Sequence, residues 1–108
     1  MDKYFRYLAA LDKSNKKFNL SNDERLMLDV VATAIHAGKV IHVKDLITLN
    51  HIASQATLHK ALTTLIEKKL LVFKADKDDA RLKEVHLTKL AHKRYEDLSK
   101  AIENAIKK

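Results

Sequence analysis

A single glycine and no proline in 108 residues constrain this chain more than any other feature. These two residues are the strongest local breakers, so a chain almost without them is expected to be mostly helical with few tight turns. The length suits one domain around one core, with roughly two-thirds of the unfolded surface buried.

Apolar spacing locates the helices. Tyr4, Phe5, Leu8 and Leu11 recur at helical intervals and predict a short amphipathic helix over 2–12, followed by "KSNKKFN" as a polar connection. "LSNDER" is a helix start: Ser21 can cap the amide three residues on while Glu24 reaches back, and Asp23 and Glu24 sit at the positive end of the dipole. Leu26, Met27, Val30, Val31, Ala34 and Ile35 form the inner face of that helix, and Gly38 falls where a left-handed terminator belongs. Val40–His42 reads as one small strand and Val43–Leu49 as a short helix. Ser54 then opens a longer helix whose Leu58, Ala61, Leu62, Leu65 and Ile66 make a core stripe. "LLVFKA" and "EVHLT", set around the polar turn "DKDDARLK", predict an antiparallel hairpin. Thr88 caps a last helix with a heptad-like seam of Ala91, Tyr95, Leu98, Ile102 and Ala105.

Two helices joined by a tight turn and followed by a hairpin describe a winged helix-turn-helix, with the short strand completing a three-stranded sheet. The expected class is mainly α with a small antiparallel β-hairpin (α+β). One domain spans 1–108: an N-terminal helix and connection over 1–19, the winged core over 20–88 and a C-terminal helix over 89–108.

Composition narrows the function. Without cysteine, disulfides and thiolate zinc sites are excluded and a cytoplasmic location is the natural expectation. No apolar run reaches the roughly 20 residues that span a bilayer, and "MDKYFRYLAALDKSNKK" lacks a signal-peptide core and cleavage site; no membrane partner is expected. The net charge of +7 favours a polyanion such as nucleic acid, although lysine-rich helices also serve simply to keep a small protein soluble.

The wing and the helices before it resemble the MarR-type winged-helix transcriptional regulators, over about Leu20 to Tyr95. That family's wing looks like D-x-R-D-x-R, then a basic residue and a strand ending in Leu-Thr; here Asp76, Asp79 and Arg81 stand at matching places, followed by Lys83, Leu87 and Thr88. Asp78 departs from the pattern, which often has arginine there. "VKDLITLNHIASQATLHKALTTLIEKKLL" is similar to the family's reading unit, with Lys69 where a glycine is usual. The resemblance implies a symmetric homodimer on a roughly palindromic duplex, with the terminal helices as the interface; those helices are short for the family.

The candidate DNA-binding residues follow from the faces. Turning the helix at 100° per residue with the leucines inside puts Ala56, Thr57, Lys60, Thr63 and Thr64 outward and His59 on the flank. Gln55 lies in the first turn, the part of a recognition helix (about 54–69) that meets base edges in the major groove. Gln55 can pair with adenine, Thr57 can bond a base or touch a thymine methyl, and Lys60 can reach guanine or phosphate. Ser54 and the helix start suit a phosphate oxygen. In the wing (about 76–84), Arg81, Lys83 and Lys77 can place a guanidinium in the minor groove and ammonium groups on phosphate. Asp79 is close enough to orient Arg81, and the charge of Asp78 has no assigned role.

Other chemistries fit less well. Asp76 and Asp78 imitate the start of an EF-hand loop, but Ala80, Arg81 and Leu87 occupy its fifth, sixth and twelfth positions. The six histidines (36, 42, 51, 59, 86 and 92) include no H-x-x-x-H or H-E-x-x-H, so no metal or cofactor is expected unless His51 and His59, or two subunits, assemble a site in space. Ser54 and His59 do not face each other, and one glycine permits no phosphate loop, so an enzyme is not expected. A dimer interface is expected from Tyr4, Phe5, Leu8, Leu11, Tyr95, Leu98, Ile102 and Ile106, apolar residues that extend past the winged unit. A small-molecule effector is compatible with this scheme, but no residue points to one. Two rival readings remain. A protein–protein module would expose an apolar recognition helix, and a nonspecific architectural binder would tolerate truncation of Gln55 and Thr57.

Overall fold

The computed structural model describes residues 1–107. Its elements run α1 (Asp2–Lys17), α2 (Asn22–His36), α3 (Val43–Ile47), α4 (Gln55–Glu67), β1 (Leu71–Ala75), β2 (Lys83–Leu87) and α5 (Lys89–Ile106). The winged helix-turn-helix order expected from the sequence is present, and the shape is elongated, 50 Å by 27 Å by 23 Å.

The helix starts are local chemistry. Ser21 Oγ accepts from the Glu24 N–H while the Glu24 carboxylate accepts from the Ser21 N–H, a reciprocal capping box. The Thr57 N–H donates to Ser54 Oγ, and the Ala91 N–H to Thr88 Oγ1. The helix ends share one device. After α1, α2 and α4 the chain turns through a left-handed residue: Asn19 at φ 51°, Gly38 at φ 73° and Lys69 at φ 62°. In each case that residue's N–H and the next one fold back onto the last turn, as when Lys69 donates to Ile66 and Leu70 to Leu65. Lys69 adopts the conformation for which a glycine is usual, at a steric cost of about 1–2 kcal/mol.

Two expectations change. The first helix continues through "KSNKK" to Lys17 instead of stopping at residue 12. Nothing in that stretch breaks a helix, an Asp12–Lys16 ion pair of 3.0 Å supports it, and its end packs on α5. The small strand at Val40–His42 shrinks to a single antiparallel bridge between His42 and Glu84, with the Val85 N–H donating to Ile41 O at 2.9 Å. Val40 is exposed, so only Ile41 gains from burial there. The sheet proper has two strands, β1 and β2, in antiparallel register from Leu71–Leu87 to Ala75–Lys83.

One core holds α2, α3, α4 and the base of the hairpin together. Met27, Leu28, Val31, Leu46, Leu58, Leu65, Leu70 and Val85 are buried in it; a fully buried aliphatic side chain of this size contributes about 1.5–3 kcal/mol. Leu28, absent from the expected stripe, is fully buried, while Leu26 is half-covered. α1 and α5 pack along each other beside this core.

Arg94 on α5 is buried as well, at 1% exposure. Its Nη2 donates to Asn15 Oδ1 of α1 at 2.6 Å and its guanidinium stacks on the Tyr95 ring, while Nε and Nη1 have no partner among the described residues. The Tyr95 hydroxyl donates to Asp29 Oδ1 of α2 at 2.7 Å. Burial, then this bond to a carboxylate, pushes the Tyr95 phenol well above its ordinary range.

Candidate nucleic-acid interface

α4 is oriented by its apolar stripe. Leu58, Ala61, Leu62 and Leu65 are buried, which turns Gln55, Ala56, His59, Lys60 and Thr63 to the outside, and Ser54 at the cap is exposed too. Thr57 departs from the expected arrangement. It is half-covered, and its Oγ1 accepts from the Ser54 hydroxyl at 3.0 Å. Thr64 is likewise half-covered and His59 is fully outward. Ala56, Lys60 and Thr63 stay outward as expected, while His59 lies on the exposed side instead of the flank and Thr57 and Thr64 on the partly covered one.

The short helix ahead of it is fixed by Leu46, which is fully buried. At its start the Asp45 carboxylate accepts from the His42 N–H at 2.9 Å. Lys44, in the first turn of α3, is exposed.

The wing is built by its aspartates. Asp76 Oδ2 accepts from the N–H groups of Asp78 and Asp79 at 3.0 and 3.1 Å, and its Oδ1 meets His42 Nε2 at 2.7 Å. The His42 bond and the Asp78 N–H hold the Asp76 carboxyl down at about 2. The loop closes where the Asp76 N–H donates to Leu82 O and the Leu82 N–H to Asp79 O. Asp79 then grips Arg81: Oδ1 accepts from Nε at 3.0 Å and Oδ2 from Nη2 at 3.1 Å. These bonds keep Asp79 below the usual carboxylate range and raise Arg81. The Arg81 side chain nevertheless stays 90% exposed. Lys77 is exposed, and Lys83 Nζ lies 5.6 Å over the Phe73 ring.

Between α3 and the wing lies a hollow of about 230 Å³ lined by His42, Val43, Lys44, Ile47, Arg81, Leu82 and Lys83. Three of its lining residues are basic. Lys44 carries no sequence signal for such a place; only the fold brings the first turn of α3 beside the wing.

Of the residues expected at a dimer interface, two are already used within the chain. Leu98 is 7% exposed against α1, and Tyr95 is bonded to Asp29. Leu8 and Leu11 are half-covered. Tyr4, Phe5, Ile102 and Ile106 remain exposed. No helix among the described residues is long and apolar enough to cross a membrane.

No protein-family model matches this sequence, and no curated protein does. Solved structures do. MepR of S. aureus in complex with DNA is 19% identical, with a TM-score of 0.74 over 92% of this chain and 71% of that one. The transcriptional regulator Tm0710 of Thermotoga maritima is 16% identical, with a TM-score of 0.72 over 96% and 69%. A MarR-family transcriptional regulator of Silicibacter pomeroyi is 23% identical, with a TM-score of 0.57 over 95% and 66%. The class is therefore a winged helix-turn-helix protein. In particular, its fold is the one found in MarR-family transcriptional regulators.

Proposed function

We propose that this chain is a sequence-specific double-stranded DNA-binding transcriptional regulator of the MarR type, acting as a homodimer and not as an enzyme. One observation carries this reading: α4 turns a polar and basic face outward beside a wing whose Arg81 is exposed and already aimed by Asp79. A protein-docking helix would present an apolar face at the same place. Gln55, His59, Lys60 and Thr63 read base edges in the major groove, with Thr57 contributing its methyl group and its own hydroxyl proton, since its oxygen accepts from Ser54. Ser54 and the start of α4 hold a phosphate. Arg81 enters the minor groove, and Lys44, Lys77 and Lys83 neutralise phosphates. A cytoplasmic location goes with this role.

The exposed apolar residues of the terminal helices, Tyr4, Phe5, Ile102 and Ile106, supply the dimer contact, so that two copies of α4 meet successive major grooves. Titrating genomic duplex at rising salt tests the reading. The expected result is a steep loss of affinity between low and moderate salt, as released counterions demand. Salt-insensitive binding, or none to any genomic duplex, would overturn it.

A further inference from the structure

Three side chains of metal-ligating type meet at the root of the wing, each from a different element. His42 caps α3, Asp76 follows β1, and Glu84 lies in β2. One donor atom of each lies within 4.8 Å of those of the other two. Backbone pairing brings them together, through the His42–Glu84 bridge and the Asp76–Leu82 hydrogen bond. All three side chains are largely covered, at 20%, 14% and 13% exposure.

The chain holds 21 lysines and arginines against 14 acids, yet among the described residues neither Asp76 nor Glu84 pairs with one of those cations. Their partners are imidazoles: His42 for Asp76, and His86 Nε2 for Glu84 Oε1 at 2.8 Å. Two covered carboxylates and the His42 imidazole thus converge from three elements, and their donor atoms form a set that a small cation can share.

We propose that His42, Asp76 and Glu84 form a binding site for a divalent first-row transition cation, which fastens the wing to α3. One imidazole nitrogen and two carboxylate oxygens are hard-to-borderline donors that zinc accepts at about 2.0–2.2 Å. Ligands at that bond length stand about 3.4 Å apart around a tetrahedral ion, so small side-chain rotations bring the cluster onto one ion. His42 Nδ1, on the far side of the ring, faces Asp45 Oδ2 at 3.7 Å, and Glu84 is oriented by His86. A cation here joins the start of the wing, its return strand and the helix before the reading helix, and Asp76 Oδ2 stays bound to the wing's backbone N–H groups.

The test needs no DNA, so its failure and that of the proposed function are separable. Zinc(II), and manganese(II) separately, are titrated into the full chain against a chromophoric chelator, with amide exchange followed over 76–84. The expected result is one equivalent of at least one of the two ions per chain, slower exchange in the wing on loading, and a loss of tenfold or more in affinity in both Glu84→Gln and Asp76→Asn. Circular dichroism identifies a variant that fails to fold, and the other conservative variant then carries the comparison. His51→Ala serves as a control outside the cluster and should leave affinity unchanged. Failure of both ions to bind, unchanged affinity in a folded variant of the cluster, or a loss caused by His51→Ala would each overturn the site.

Discussion

Asp79 holds Arg81 by three hydrogen bonds, two from the guanidinium and one from the backbone N–H. An exposed ion pair of this kind adds little to stability, so its value lies in direction. Arg81→Ala should weaken duplex binding severalfold or more while leaving helicity unchanged. Asp79→Ala should weaken it less, because the cation survives but is no longer aimed. Electrophoretic mobility shifts with circular dichroism on the same samples check both. Equal binding by Arg81→Ala and wild type would remove the wing from the interface.

Lys69 is held at φ 62° with its side chain exposed. Lys69→Gly removes the steric cost but gives the unfolded chain more freedom, so the expected gain is about 0.5–1 kcal/mol. Thermal unfolding should show a rise of a few degrees. The Thr88 hydroxyl donates to the Lys69 carbonyl at 2.7 Å, a bond that the substitution leaves in place.

Much of the fold was legible because its signals are local. The Ser21–Glu24 capping box, the Leu58–Leu65 stripe, Gly38 and the Asp79–Arg81 pair each involve residues a few positions apart. What was missed depends on distant partners. His42 meets Asp76 across 34 positions and Arg94 meets Asn15 across 79, and nothing in the spacing of either residue announces the contact. Arg94 reads as one more basic residue on a charged helix, yet it is buried. On α4 the expected stripe of Leu58, Ala61, Leu62 and Leu65 is the buried one, but Thr57 and Thr64 are partly covered and Thr57 takes a bond from the Ser54 hydroxyl, which apolar spacing does not encode.

Arg94 yields a prediction of its own. Two of its three guanidinium nitrogens are buried without a partner among the described residues, and a charge left so is costly. Arg94→Met, which keeps most of the volume, should leave stability unchanged or raise it by about 1–2 kcal/mol. Chemical denaturation measures this. A loss of similar size would mean that the Asn15 bond and the stacking on Tyr95 outweigh the unpaired donors.

The Asp76 carboxyl titrates near 2 instead of 3.8 because His42 and the wing N–H groups favour its charged form. A depressed carboxylate contributes stability that is present above its unfolded value and lost as the pH falls through the folded one. Wild type should therefore be more stable than Asp76→Asn above about pH 4, and the difference should narrow between 3.8 and about 2. Melting curves across that window read it directly. A gap that persists unchanged below it would assign the effect to hydrogen bonding alone and not to charge.

In the proposed complex α4 reads sequence from a symmetric pair of sites. Selection of bound molecules from a random duplex pool tests it most directly, with the same selection run on Gln55→Ala. The expected result is a two-fold symmetric consensus for wild type and, in each half-site, one position relaxed by the substitution at a cost of about 1–3 kcal/mol. Recovery of duplexes with no shared sequence, or the identical consensus and affinity from Gln55→Ala, would contradict it.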